Sequence, residues 1–420
     1  MVGTISLVLA LIVLIGAVAW RPHGAGPTMG AIGAVAVAML GGLAVPADIL
    51  DAMAAQWQAY VTLIAIMTMT SAAERLGLLT RLASWIEPRT RGPVKHAFRV
   101  TFIASAVIAA VLSNDAAILL MTPTVLVLLR AVYPKRHPKF AVPFVVAVFA
   151  SAGVAPLVIS NPMNLIFADH VGIGFNRYSI TMIPIAIAGW IVAYAVLAWI
   201  FRDVLADTSP ALGAWPEPKQ QLSSAARTVL ITVGAVLVAY PVMSYLDVPL
   251  WPVALAGGVV CAVVSLAAGH SVVQLARGVA WPIFPFLVGV FVLATALDRG
   301  GVVAWLSELY VASDAPLATI GVTSAVGSAV LNNHPMSVLN ALALDGTGGG
   351  HDRAFAALIG GDLGPRLLPI GSLASLLWYD LLRRHDVAVS VAMFIRVGVA
   401  LTVPTLAVSI ALLWLIERAL

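Results

Sequence analysis

Residues 98–130 form an apolar stretch too long for one straight bilayer crossing, broken at Ser113-Asn114-Asp115 and fenced by positive charge at both ends. Arg75, Arg81, Arg89, Arg91, Lys95 and Arg99 precede or open it; Arg130, Lys135, Arg136 and Lys139 close it. Lys and Arg in short loops beside spans mark the cytoplasmic side, so both ends of this segment belong on that side. A single tilted helix cannot satisfy this. A re-entrant hairpin with its tip at Ser113-Asn114-Asp115 can. Irregular backbone at that depth is tolerated only against protein or a water-lined cavity, so the hairpin requires a polytopic, all-α membrane fold around it.

The rest of the chain agrees. Only 10% of residues are charged and 61% are hydrophobic, against about 25% charged in soluble domains. Plain spans are predicted near 3–20, 27–45, 57–74, 179–201, 227–246, 249–268, 280–297 and 388–416. The run from Ile5 to Trp20 lacks the basic leader and small-residue cleavage site of a signal peptide, so 1–26 is read as a retained N-terminal transmembrane helix. Residues 314–345 are a second hairpin, interrupted at Asn332-Asn333-His334-Pro335. Two further long stretches are broken helices: 141–170 at Asn161-Pro162-Met163-Asn164, and 353–381 at Gly364-Pro365 and Pro369-Ile370-Gly371-Ser372.

This layout turns Arg202, Lys219, Arg227, Arg277, Arg383 and Arg384 inward, and Asp48, Asp51, Asp247, Asp314 and Asp345 outward. The second hairpin then enters from outside, and both termini are extracytoplasmic at the cell inner membrane. Residues 203–226, rich in Pro, Gln and Ser, read as a cytoplasmic linker, and 346–350 as a flexible glycine loop. The linker divides a first repeat, 27–202, from a second, 227–420. The halves match weakly but in order: Ala73-Glu74-Arg75-Leu76-Gly77-Leu78 with Leu297-Asp298-Arg299-Gly300-Gly301-Val302, and Val111-Leu112-Ser113-Asn114-Asp115 with Val330-Leu331-Asn332-Asn333-His334. Inverted-topology repeats place substrate near the midplane, where discontinuous helices meet.

The polar residues at these breaks are the candidate site. Ser113, Asn114, Asn161, Asn164, Asn332, Asn333, Gly371 and Ser372 are expected to bind substrate. Each Asn could instead only cap a helix end. Asp115, Asp362 and His334 are the candidates for proton coupling, since an ionisable group at membrane depth is functional by default. Asp115 leads; Asp362 could alternatively be a solvated acid near the outer surface. Arg366 is read as balancing Asp362 or helix C-terminal carbonyls, and Asp169 and His170 as loop residues. The tryptophans are assigned mostly to interfacial belts at span ends, and the Met67-Thr68-Met69-Thr70 run to helix packing.

Several classes are excluded. One cysteine, Cys261, permits no internal disulfide and no multi-thiolate metal site. No metal or other cofactor is expected. A formal charge of +4 without a basic, aromatic stretch gives no nucleic-acid surface. No metalloprotease His-Glu motif or Gly-x-Ser-x-Gly elbow supports an intramembrane enzyme.

The motifs carry a family resemblance. Asn114-Asp115-Ala116-Ala117-Ile118-Leu119-Leu120-Met121-Thr122-Pro123, Asn161-Pro162-Met163-Asn164-Leu165 and Leu331-Asn332-Asn333-His334-Pro335 resemble motifs of the arsenical pump membrane proteins. The longest likeness runs from Asp362-Leu363-Gly364-Pro365-Arg366 to Leu368-Pro369-Ile370-Gly371-Ser372 and on to Trp378. His334 stands where that family is expected to carry a small or hydrophobic residue. The short Asn motifs are shared across the wider ion-transporter superfamily and so speak to fold; the long stretch speaks to substrate. The resemblance implies a secondary transporter, not an enzyme, exporting arsenite and antimonite by proton antiport, with the lipid bilayer as its surroundings. It also implies, for some relatives, a cytoplasmic ATPase subunit. A sodium-coupled dicarboxylate carrier or sodium/proton antiporter of the same fold is the alternative.

Overall fold

A computed structural model describes residues 9–13, 16, 27–78, 81, 84, 89–90, 92–133, 137–207, 222–345 and 350–419. Most of the expected N-terminal helix and most of the linker lie outside these residues, as does 346–349. Among the described residues every element is helical. The longer ones are α1 Pro27–Leu40, α2 Pro46–Arg75, α3 Val94–Val111, α4 Asn114–Val132, α5 Val142–Ser151, α6 Pro162–His170, α7 Phe175–Ile200 and α8 Ser224–Tyr245. They continue as α9 Trp251–Ala267, α10 Ile283–Arg299, α11 Val302–Val311, α12 Pro316–Leu331, α13 Asn333–Asp345, α14 His351–Leu363, α15 Leu373–Arg384 and α16 Val391–Ala419.

Five of these, α2, α3, α7, α8 and α16, are each long and apolar enough to cross a bilayer. Their outward faces carry large apolar side chains such as Ile103, Ile191 and Val403. In water such faces would be costly; in lipid they are the solvent-facing surface. The span expected at 280–297 is α10, but the chain then bends by 74° into α11, a helix the sequence reading did not separate. Gly301, at φ 84°, makes that corner, a conformation that costs glycine little.

Both hairpins are present. In the first, α3 and α4 pack side by side, and the Tyr133 hydroxyl donates to the Gly92 carbonyl at 3.3 Å, closing the base. In the second, Asn340 Nδ2 on α13 donates to Ser324 Oγ on α12 at 2.9 Å. Both broken helices are present too. The first is α5, an irregular stretch with a short 3-10 turn at Val158–Ser160, then α6; the second is α14, two 3-10 turns, then α15. Proline opens α6, and the Asn161 side chain accepts from Met163 N to cap it. Ser372 Oγ accepts from Ser375 N to cap α15 in the same way. Such caps satisfy the amide groups that a helix start leaves open.

The hydrophobic side chains form two cores. One gathers both hairpin-1 helices, α5, part of α15 and Phe394, Val397 and Leu401 of α16. The other gathers α6, α10, α13, α14 and much of α1, α2 and α7. Each broken helix thus gives one half to each core, and the irregular backbone lies at the junction.

Small residues let α12 and α14 approach closely. A Cβ at Gly360 would strike the Gly321 carbonyl, and one at Gly364 the Ala325 carbonyl. Small residues four apart on facing helices are the usual means of close packing in membranes. This contact fixes the second break against the second hairpin. The Met67-Thr68-Met69-Thr70 run packs as expected, with Met69 in the core and the Thr68 hydroxyl bonded to the Ile64 carbonyl. Trp378 departs from the interfacial reading: it is buried, tilted against Phe149 and edge-on to Tyr379.

Candidate functional site

The junction of the two broken helices holds a buried carboxylate. Asp362, in the last turn of α14, is 4% exposed. Its Oδ1 accepts from Asn161 Nδ2 at 2.7 Å. Its Oδ2 accepts from Asn164 Nδ2 at 2.9 Å and from the Ala155 amide at 2.9 Å. All three donors belong to the first broken helix. The reading of Asp362 as a solvated acid near the surface is therefore corrected: α14 packs so tightly on α12 that its last turn is driven inside.

Tyr178 completes this cluster. Fully buried on α7, its hydroxyl accepts from Asn164 Nδ2 at 2.6 Å and donates to the Ala155 carbonyl at 3.1 Å. Asn164 Oδ1 is buried without a hydrogen-bond partner among the described residues. An unpaired buried acceptor costs roughly 1–3 kcal/mol, which makes it a natural point for a donor hydroxyl to reach.

Arg366 stands one turn beyond Asp362 and is also buried. Its Nη2 donates to the Ala150 carbonyl at the end of α5. Of the two expectations for this residue, the contact with a helix C-terminal carbonyl is the one made by a hydrogen bond. Its Nε and Nη1 have no hydrogen-bond partner among the described residues. Gly153 faces it, and a Cβ there would strike the guanidinium.

The hairpin tips latch onto the breaks. Asn114 Nδ2 donates to the Gly153 carbonyl at 3.1 Å, and Asn332 Nδ2 donates to the Ile370 carbonyl at 3.2 Å. Each half thus repeats one device, in which a tip asparagine holds a backbone carbonyl of the broken helix beside it. Asn332 has φ 88° and ψ 150°, a region sparsely used outside glycine. Asn333 Oδ1 lies 3.0 Å from His334 Nδ1. His334 is buried edge-on to Phe286, its Nε2 unpartnered among the described residues. Gly371 is buried where a Cβ would come 2.7 Å from Pro365 Cα.

The expected residues therefore sort into two groups. Asn161, Asn164 and Asp362 touch directly, and Asn114 holds the Gly153 carbonyl of the same broken helix. Gly371 and Ser372 lie in the second break, Asn332 holds it, and Asn333 and His334 follow Asn332 at the hairpin tip. Ser113 closes the first turn of α4 through its carbonyl, bonded to Ala117 N at 2.9 Å. The side chain of Asp115 lies outside the described residues. His170 Nε2 lies 3.0 Å from Asp345 Oδ2.

Sequence reasoning missed Tyr178, the Ala155 amide and Asn340. Asn340 is fully buried and accepts from Tyr310 Oη at 2.6 Å. It carries on through Ser324, whose hydroxyl donates to the Ala357 carbonyl at 2.6 Å, so a polar relay joins α11, α13, α12 and α14. An isolated Asn inside the second hairpin was the one available signal. Cys261 is buried, as a packing residue would be.

Residues 5–416 match the family model described as the arsenical pump membrane protein. The chain is 30% identical over 408 residues to the arsenical pump membrane protein of Escherichia coli K12, with 94% of this chain and 95% of that one covered. It is 30% identical over 406 residues to the protein of that name from Yersinia enterocolitica, with 94% of each covered. A putative arsenical pump membrane protein of Bacillus subtilis is 26% identical over 405 residues, covering 90% and 91%. Among solved structures, the YdaH transporter of Alcanivorax borkumensis, reported to have an unusual topology, superposes with a TM-score of 0.57 at 14% identity over 88% of each chain. That last likeness is one of fold.

Proposed function

The chain belongs to the arsenical pump membrane protein family, and we propose that it exports the neutral trihydroxides of trivalent arsenic and antimony from the cytoplasm in exchange for protons, around Asp362. The family makes it an arsenical transporter of the membrane, active in efflux and arsenic resistance. The observation that carries the finer reading is the buried carboxylate held between two helix breaks by Asn161, Asn164 and the Ala155 amide.

Arsenite near neutral pH is a compact molecule with three hydroxyls, each able to donate and to accept. Asn amides, the Tyr178 hydroxyl and exposed carbonyls suit it. The ionised Asp362 accepts only, so a solute hydroxyl can take the place of an amide donor on it. A proton on the same oxygens turns one acceptor into a donor and breaks that set of contacts. Solute and proton then compete for the same lone pairs, which is the local requirement for exchange.

Arg366 gives the exchange its direction. With Asp362 ionised the pair is neutral, and the loaded site crosses without moving charge. With Asp362 protonated the region carries one positive charge, drawn inward by a negative interior. One charge is worth about 2.3 kcal/mol per 100 mV, enough for roughly a 50-fold gradient of a neutral solute. Further along this path, His334 at the tip of the outer hairpin is assigned to proton entry and Asp115 at the tip of the inner hairpin to proton exit. Ser113, Asn114, Asn332, Asn333, Gly371 and Ser372 shape the two breaks. The repeats are inverted in this reading, supported by the matched latches of Asn114 and Asn332.

The test is arsenite accumulation in everted vesicles from an arsenite-sensitive host, with and without an imposed proton gradient. Gradient-dependent accumulation that a protonophore removes is expected. An inserted protein that moves no arsenite overturns the substrate; accumulation indifferent to the gradient overturns the coupling.

A further inference from the structure

A cavity of about 340 Å³ lies between α2, α6, α10 and α13. Its walls include Gln56 and Thr295 on the long helices, Phe167 on α6 and Ser337 on the second hairpin. It sits at the end of the molecule that carries Asp48 and Asp345, which the charge pattern turns outward, and their partners Arg299 and His170. We infer that this cavity is a release-side binding site for a small neutral polyhydroxylated solute, an inference that rests on the transport reading above.

Position is the first argument. Asn164, which holds Asp362, and Phe167, which lines the cavity, lie on one short helix. At 1.5 Å per residue they are about 5 Å apart along its axis. The cavity therefore begins about one turn along α6 from the residue that holds the buried carboxylate.

Charge is the second. Arg299 grips Asp48 with two hydrogen bonds, of 2.7 and 2.8 Å, and so ties α10 to α2. His170 and Asp345 tie α6 to α13 at 3.0 Å. The cavity lies between these two braced pairs. Each formal charge on its walls is matched by a neighbour, apart from the exposed Asp51 at the mouth. An anion finds no free cation there, and a neutral solute encounters no charge left uncompensated inside.

Hydrogen bonding is the third. Gln56 is 2% exposed, and its Oε1 has no partner among the described residues. The Thr295 hydroxyl spends its proton on the Phe291 carbonyl at 3.1 Å and keeps its lone pairs. Ser337 faces them from the other wall, buried yet lining the space. Acceptors from one wall and a hydroxyl from the other match a molecule with several hydroxyl groups. The cavity is several times larger than a solute of four heavy atoms, which leaves room for water to bridge the solute to these walls.

Counterflow in everted vesicles tests this, because their lumen is the extracytoplasmic side. Unlabelled arsenite is loaded inside, labelled arsenite is added outside, and each half-saturating concentration is measured in the full chain. Gln56→Leu is expected to raise the luminal value about tenfold, the effect of one lost hydrogen bond of roughly 1.4 kcal/mol, and to move the external value less than about twofold. Ser337→Val, on the opposite wall, should do the same, and Asn164→Ala should raise both values. Wild-type luminal values in both vestibule variants, or equal rises on the two sides, would overturn the release site alone. Absence of any arsenite exchange by the wild-type protein would overturn the solute, and this site with it.

Discussion

Asp362 Oδ1 accepts a 2.7 Å hydrogen bond from Asn161 Nδ2 across 201 residues of chain, joining the two broken helices at their irregular turns. Asp362→Asn would place an amide where three donors converge and would leave Arg366 buried without its counter-charge. Uphill arsenite accumulation is expected to fall to background. A buried donor left without its acceptor costs roughly 1–3 kcal/mol, so a lower melting temperature in detergent should accompany correct membrane insertion. Retained gradient-driven accumulation would remove Asp362 from the mechanism.

Tyr178 orients Asn164 from a helix that is otherwise an ordinary span. Its hydroxyl both accepts from Asn164 and donates to the Ala155 carbonyl, so Tyr178→Phe strands two buried partners. Each is worth roughly 1–3 kcal/mol. The expected result is a half-saturating arsenite concentration on the cytoplasmic side raised about tenfold or more. An unchanged value with an unchanged maximal rate would reduce Tyr178 to packing.

Asn332 offers a separation of backbone from side chain. At φ 88° and ψ 150°, alanine is strained, whereas glycine is at ease. Both replacements lose the 3.2 Å bond to the Ile370 carbonyl. Asn332→Ala should therefore be less stable than Asn332→Gly by about 1–2 kcal/mol, read as the difference between their thermal midpoints. Transport should be impaired in both, because both release the second hairpin from the second break. Equal midpoints would show that the backbone there is not constrained.

The hairpins and breaks were legible because a polar residue inside an apolar run has no ordinary explanation: Ser113-Asn114-Asp115 and Asn332-Asn333-His334 marked the tips, and the prolines marked the broken helices. The matching basic clusters around 98–130 added direction. The meeting of Asp362 with Asn161 and Asn164 was not legible as a contact. It is made by packing α14 onto α12 through Gly360 and Gly364, and neither glycine announces its partner. Tyr178 left no trace, since a tyrosine in a span reads as packing. The corner between α10 and α11 does leave one, in Gly300-Gly301, although the same pair also belongs to the stretch that repeats between the halves.

The α12–α14 contact makes its own prediction. A Cβ at Gly364 would meet the Ala325 carbonyl and the Ser328 side chain, and backbone cannot yield as a flexible side chain can. Gly364→Val should push the last turn of α14 away from α12 and carry Asp362 off its donors. Overpacking of this kind costs about 1–3 kcal/mol or more. Expected readouts are reduced yield of folded protein and loss of transport in the fraction that folds. Normal transport would mean that α12 and α14 can separate without cost to the site.

Asp115 and Asp362 can be told apart by separating rate from final gradient. A carboxylate that exchanges its proton for solute sets the coupling itself, so its loss lowers the steady-state accumulation whatever the time allowed. A carboxylate that only passes the proton onward changes how quickly that level is reached. Asp115 stands in the first turn of α4 at the tip of the first hairpin, next to Asn114, which latches onto the first break at Gly153. Asp115→Asn is therefore expected to slow arsenite uptake into everted vesicles by about tenfold, a barrier change of roughly 1.4 kcal/mol, and to reach the wild-type plateau. Asp362→Asn should reach no plateau above equilibrium at any time. If Asp115→Asn also fails to accumulate arsenite above equilibrium, the exchanged proton sits on Asp115, and Asp362 serves the solute alone.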